Sequence, residues 1–327
     1  MKQPAQRPYV GDDDLLAIVA LIDACEAVDR LDRGTSVEEL RVALAAPGVD
    51  PTRDLSLWRD EAGRLLGLGR LVLATDSAET EGRFWFHVHP AARRWVGLEE
   101  RIIAWGQGRV REAGRERGMP SVRLLTFARD DKAARIAMLE AQGFERVRYF
   151  YTMSRPLKDA IPVLDMPAGF VARPLDGMEE AADYVALENE AFRDHWNHHD
   201  ETVDDLAYRL SAPAYRPDLD LVCTALDGRL AAYCQCEIDA GDNARMGTKT
   251  GFVAGLGTRR AYRGRGLGRA MLLIGLRALQ RAGMDTAHIS VDAANPTGAL
   301  RLYESVGFQT FETWIGFVKR ESAQPAM

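Results

Sequence analysis

The stretch Thr258-Arg-Arg-Ala-Tyr-Arg263-Gly264-Arg265-Gly266-Leu267-Gly268-Arg269 stands between the apolar segment FVAGLG (252–257) and the apolar run AMLLIGL (270–276). It sets three glycines among five arginines, Arg259, Arg260, Arg263, Arg265 and Arg269. A chain that turns from a strand into a helix leaves its first backbone N–H groups unpaired. Glycines let an anion approach those groups closely, so the stretch reads as a pyrophosphate cradle. Two other glycine motifs fit poorly. The Walker form needs a Lys-Ser or Lys-Thr that is missing here, and the dinucleotide fingerprint needs G-x-G-x-x-G after the first strand of its unit. Taken alone, the same glycines would also serve a tight turn against a closely packed helix.

Working outward, the two halves of the chain repeat. Residues 131–144 read DKAARIAMLEAQGF and residues 295–308 read NPTGALRLYESVGF. Each predicts a helix capped by its first residue, Asp131 or Asn295, and closed by a left-handed Gly before Phe. A strand-like segment follows each, RVRYFYTM or TFETWIGFV. Ser36-Val-Glu-Glu39 and Asp176-Gly-Met-Glu179 both have capping-box form, and Asp60–Gly63 and Asp227-Gly228 both predict hairpin turns. The order in each half is helix, helix, hairpin strands, strand, helix, strand, helix, strand. This is a mixed-sheet α/β (α+β) domain occurring twice, and RPLKDAIPVLDMPAG (155–169), with three prolines, marks the break. The expected domains are 1–158 and 169–321.

The motif R-x-x-G-x-G at Arg263–Gly268, then an Asn-Pro helix start, a Tyr and a Gly-Phe, resembles the GCN5-related N-acetyltransferase (GNAT) family. The resemblance is strong over 169–320; its tandem two-domain form is similar to mycothiol synthase. It implies two tandem GNAT-like acyl-CoA N-acyltransferase domains, with acetyl-CoA as co-substrate and a small-molecule primary amine as acceptor. By resemblance the backbone at Leu256, Gly257 and Thr258 takes the pantetheine arm and thioester oxygen. Arg263, Gly264, Arg265, Gly266, Leu267, Gly268 and Arg269 hold the pyrophosphate, and Asn295 adds a coenzyme contact beside its capping role. Tyr303 is the general acid for the departing thiolate, since a phenol titrates near pH ~10 and stays protonated.

Many GNAT enzymes place a Glu on the strand before the cradle, where this chain has Phe252 and Ala254. Glu237 and Asp292 are the alternative carboxylates near the expected cleft; Glu237 is the candidate base and Asp292 a substrate contact, and each also reads as a solvated acid at a strand end. His195 and Trp196 fall where the family builds its acceptor pocket, although an ordinary surface loop is the bland reading. The H-x-x-H-H spacing (195–199) has no evident acid or Cys to complete a metal site, and no metal is expected.

In the first half, aligning Gly97 with Gly266 sets Arg94 and Gly97 over the turn but puts Glu99 where the last Gly belongs, with Glu100 next. Two carboxylates in a helix's first turn suit the helix dipole and repel a pyrophosphate. Leu139 takes the place of Tyr303. The first domain is therefore expected to be degenerate and without catalysis.

Composition excludes much else. With 327 residues, 46% hydrophobic and 28% charged, the chain is of globular type. A net charge of -6 offers no footprint for nucleic acid. The apolar run at 270–276 is far too short for a bilayer, and MKQPAQRPYVGDDD is no secretory signal. Four cysteines, with Cys234 and Cys236 read as small buried hydrophobes, fit a reducing, cytoplasmic setting. Two alternatives to amine acetylation stay open: acetylation of an amino-thiol glycoside, and a non-catalytic acyl-CoA sensor in which Tyr303 is only a core residue.

Overall fold

Each half begins with a short strand that the sequence pattern does not predict, because four or five residues carry too little alternation to register. In the computed structural model all residues are described except 1, 2, 32, 33, 75–78, 94–96, 164, 213 and 325–327. The first half runs β1 (Ala5–Pro8), α1 (Leu15–Asp29), α2 (Val37–Leu44), α3 (Pro51–Asp54), β2 (Leu55–Arg59), β3 (Leu65–Leu73), β4 (Thr80–Val88), α4 (Leu98–Glu116), β5 (Ser121–Arg129), α5 (Ala133–Ala141) and β6 (Glu145–Pro156). The second runs β7 (Phe170–Pro174), α6 (Ala181–Phe192), α7 (Val203–Ser211), β8 (Asp220–Ala225), β9 (Leu230–Glu237), α8 (Ala240–Met246), β10 (Thr250–Thr258), α9 (Leu267–Arg281), β11 (Thr286–Asp292), α10 (Ala299–Ser305) and β12 (Gln309–Ser322).

Packing divides the chain into Met1–Arg148 with Ile315–Met327, and Tyr149–Trp314. The composition break at 155–169 does not mark this division. β6 pairs with β11 from Phe150 to Pro156, so most of it belongs to the second unit. Strand membership follows hydrogen-bonded pairing, which sequence adjacency does not report.

Both units use the same pairing scheme. Strands β1 to β4 are successively antiparallel and β4 runs parallel to β5. In the second unit β7, β8, β9 and β10 are successively antiparallel and β10 runs parallel to β11. The β10–β11 ladder stops at Val253↔Ile289, although the strands continue to Thr258 and Asp292. Beyond that point the facing edges diverge.

α9 fixes one side of this opening. Its buried residues Leu267, Ala270, Met271, Leu272, Leu276 and Leu279 lie at helical spacing over Cys234, Val253, Ile289 and Met153. Each fully buried leucine contributes about 1.5–3 kcal/mol. Gly275 is required there, because a Cβ would come within 2.5 Å of Cys234 Sγ. The opposite face of the sheet carries α6, with Tyr184, Leu187, Leu206 and Tyr233 in a separate core.

Local signals fared unevenly. The Ser36–Glu39 capping box is present, as are the turns in which Gly63 N donates to Asp60 O and Gly228 N to Ala225 O. Asp176 caps nothing with its side chain, since Glu180 pairs with Arg173 and reaches back to Asp176 N. Asp131 and Asn295 are not N-caps. α5 starts after Lys132, with Asp131 held by Arg129. α10 starts after Gly298 at φ 76°, because Asn295 Oδ1 accepts from Thr297 N and Oγ1 in a local turn. Such side-chain turns compete with helix.

Candidate active site

The open edge of β10 begins at a bulge. Register passes from Val253↔Cys236 to Gly255↔Gln235, leaving Ala254 extra and exposed. A bulge re-aims the strand locally, and the backbone of 254–258 on the β11 side has no strand partner among the described residues. Leu256 is half-buried against the α9 core. Gly255 and Gly257 are explained by Tyr233, whose ring carbons would lie 2.8 and 2.4 Å from a Cβ at those positions. Their glycine character thus comes from a tyrosine packed flat under the strand as well as from the bulge.

The glycine turn delivers the chain into α9. Gly264 and Gly266 hold φ of 74° and 83°, which favours glycine, and Gly266 is the N-cap. Ala270 N already bonds to Gly266 O, while no side chain caps the turn and no acid lies in it. The N–H groups of Leu267, Gly268 and Arg269 therefore face outward at the positive end of the helix dipole. A Cβ on Gly268 would meet Thr258 Oγ1 and Leu302 at ordinary contact distances, 3.8 and 3.7 Å. Outward N–H groups at the positive end of a helix are a favourable environment for an anion.

The five arginines divide. Arg259 is buried and tied to Asp183, Glu190 and Leu230 O, and Arg260 pairs with Asp194, so both hold the fold. Arg263 donates to Thr258 O at 3.2 Å and Ala191 O at 3.0 Å. Arg265 lies over the Tyr262 ring, 5.6 Å from its centroid, and Arg269 donates to Ser305 Oγ at 2.6 Å. Among the described residues none of these last three pairs with a carboxylate, so their charge is left for a ligand.

Tyr303 sits on α10, 7% exposed, its ring centroid 6.1 Å from that of Phe308. Burial raises its pKa, and among the described residues none hydrogen-bonds its hydroxyl, so it stays a protonated donor without a protein acceptor. Glu237 ends β9 as the direct register partner of Phe252. Gln235 Nε2 donates to its Oε1 at 2.8 Å. Desolvation, opposed by the Arg209 charge and the Gln235 bond, raises its pKa above the ordinary glutamate value.

Asp292 lies four residues past His288, the partner of Phe252 in the next strand, hence about 13 Å from the Glu237 row. The structure therefore separates the two candidate carboxylates. Asp292 accepts from Ala294 N at 2.9 Å and sits near His195, which its charge pushes up and burial, more strongly, pushes down. His195 is 4.3 Å from the Phe192 ring, and Trp196 is 5.9 Å from Phe150, the partner of Asp292. These residues come together at the end of β11. His198 pairs with Asp200, and among the described residues no group of three or more His, Cys, Asp or Glu is placed to hold a metal.

The family model described as "Acetyltransferase (GNAT) family" matches residues 181–308. A mycothiol acetyltransferase from Thermomonospora curvata is 30% identical across 94% of this chain and 95% of its own length. Another, from Kineococcus radiotolerans, is 34% identical across 94% and 93%. This chain belongs to the GNAT family. A GCN5-related N-acetyltransferase from Sphaerobacter thermophilus has the same fold, with a TM-score of 0.75 at 23% identity over 99% of this chain and 96% of its own. The chain is thus an acetyl-CoA-dependent N-acetyltransferase. Among the described residues no helix is long and apolar enough to cross a membrane.

Sequence reasoning missed a polar cluster behind the GNAT site. Glu188 on α6 faces Glu201 in the following loop, which Asn189 pins by two hydrogen bonds to the Glu201 backbone. Oε2 of each glutamate is sealed from solvent with no donor beside it. Burial and then Glu201 push Glu188 up to about 9, so the pair holds one proton. Tyr233 donates to Glu188 Oε1 at 3.3 Å, and Arg209 to Asp220 at 2.9 Å. Thirteen residues of separation give no periodic signal for such a pair.

Proposed function

We propose that the second unit transfers the acetyl group of acetyl-CoA to a primary amine of a small molecule by direct attack in a ternary complex. Supporting this is one observation above the rest: diverging strands end beside a glycine-capped helix whose first turn is free of acids. The backbone of Leu256, Gly257 and Thr258 would take the pantetheine arm. Arg263 to Arg269 would hold the pyrophosphate, and Asn295, whose side chain is engaged in its own turn, would contribute at most its backbone. The thioester supplies an activated acetyl group when bound.

Glu237 would accept the ammonium proton, and desolvation, by raising its pKa above the ordinary glutamate value, makes it a stronger base than a free carboxylate. It stands one strand over from Phe252, where a carboxylate would otherwise be sought. Tyr303 would give its proton to the leaving thiolate. His195, Trp196 and Asp292 would line the acceptor side. The first unit would be a degenerate GNAT-like domain that does no chemistry, and four buried free cysteines favour the cytoplasm.

Acetyl-CoA turnover over a panel of primary amines, with Tyr303→Phe alongside, tests this. An acyl-CoA sensor would bind acetyl-CoA and show no Tyr303-dependent turnover. A second reading, acetylation of an amino-thiol glycoside, draws support from the names of the two relatives, and a cysteinyl glycoside in the panel decides it.

A further inference from the structure

At the level where β10 and β11 begin to separate, pairing aligns a row of side chains across the sheet. Glu237 on β9 is opposite Phe252 on β10, Phe252 is opposite His288 on β11, and His288 is opposite Ser154 on β6. Directly paired residues put their side chains on one face. Their chain neighbours Cys236, Val253, Ile289 and Met153 are buried in the core under α9. The row therefore faces the other way, on the side of α6.

This row ends in aromatic surface. The Phe311 ring lies tilted against His288, with centroids 4.7 Å apart and planes at 38°, and Phe311 is 48% exposed. Ser154 beside His288 is short enough to leave that approach open. Phe252 and His288 are half-buried and Glu237 is exposed, so rings and carboxylate are all reachable from one side. Leaving a phenyl ring half in water forfeits the burial free energy a core position would give. Aromatic side chains in one row beside a carboxylate form a receptor for a flat ring that carries a cation. Phe252 lies two residues before the bulge at Ala254, about 7 Å along the strand. A ring seated on Phe252 would thus leave an amine on a short arm at the mouth of the divergence.

We propose that the acceptor is a primary amine borne on an aromatic ring. The ring lies on Phe252, His288 and Phe311, and the ammonium faces Glu237, the single carboxylate of the row. This inference rests on reading the second unit as an amine acetyltransferase. It names that acceptor's class.

Steady-state kinetics on the full chain with phenethylamine and tryptamine against butylamine and hexylamine test it, in the wild type, Phe311→Ala and Phe252→Leu. The aryl amines should exceed the alkyl amines in kcat/KM by about tenfold, the worth of a well-formed aromatic contact. Phe311→Ala, at an exposed position that leaves the core alone, should cut that ratio several-fold through KM, and Phe252→Leu should do the same. Equal efficiency for aryl and alkyl amines, or an unchanged ratio in both variants, overturns the inference while amine acetylation stands. No turnover of any amine by a chain that binds acetyl-CoA overturns the underlying reading and the inference with it.

Discussion

In the first unit β4 and β5 stop pairing after Arg83 and Leu125; in the second, β10 and β11 stop after Val253 and Ile289. A left-handed glycine then caps the next helix in each, Gly97 at φ 92° and Gly266 at φ 83°. The first helical turns beyond these caps differ. α4 opens with Glu99 and Glu100, while α9 opens with Leu267, Gly268 and Arg269. Glu99 has its pKa raised by burial, against the pull of Arg135. Arg135 lies 4.0 Å over the Phe86 ring on the diverging part of β4, and burial pushes it down to about 10. Leu139 is fully buried where the second unit has Tyr303. Arg94 lies outside the described residues. Strand divergence and a glycine cap are thus backbone features the two units share, and the side chains of the first helical turn are where they differ: two carboxylates in one, none in the other.

The largest expected effect comes from moving that difference across. Gly268→Glu copies Glu99 into the second cradle and should weaken acetyl-CoA binding about a thousandfold, since like charges brought together cost several kcal/mol. A Cβ fits at Gly268, so Gly268→Gln, of the same size, should lose far less in the same titration. Equal losses would mean bulk, and not charge, separates the two grooves.

Next in size is Glu237→Gln, with kcat/KM down about a hundredfold for loss of a base. The raised pKa of Glu237 makes the wild-type rate fall as pH drops through it, and that acid limb should vanish in the variant's pH profile. Tyr303→Phe should lower kcat by about tenfold to a hundredfold with little change in the KM for acetyl-CoA. A wild-type kcat in that variant would make Tyr303 equivalent to Leu139, a packing residue.

The smallest effect concerns stability. Glu188 is raised in the folded chain, so the folded state holds a proton that the unfolded chain gives up near pH ~4.3. Stability should fall as pH rises from there to about 9 and level off above. Glu188→Gln keeps an acceptor for Tyr233 and presents an N–H to Glu201, as the shared proton does. Thermal melts should show it more stable than the wild type at pH 8, where the wild type must keep a proton its unfolded chain has released, and no more stable near pH 4.

The glycine turn into α9 and the repeat could be read from sequence because their signals are local. Glycines at Gly264 and Gly266 are demanded by the backbone angle, and Asp60–Gly63 and Asp227-Gly228 by their turns. The placement of Glu237 opposite Phe252 could not be read, since register belongs to pairing between strands. The Glu188–Glu201 pair was hidden because a loop folding back onto its helix leaves no periodic signal, and Asn295 was misread because an asparagine before proline suits a local turn as well as a cap.

The most direct test is calorimetry of acetyl-CoA with the full chain and with Gly268→Glu. The account predicts one equivalent bound per wild-type chain and none by the variant over the same concentrations. Two equivalents in the wild type, or undiminished binding after Gly268→Glu, would contradict it.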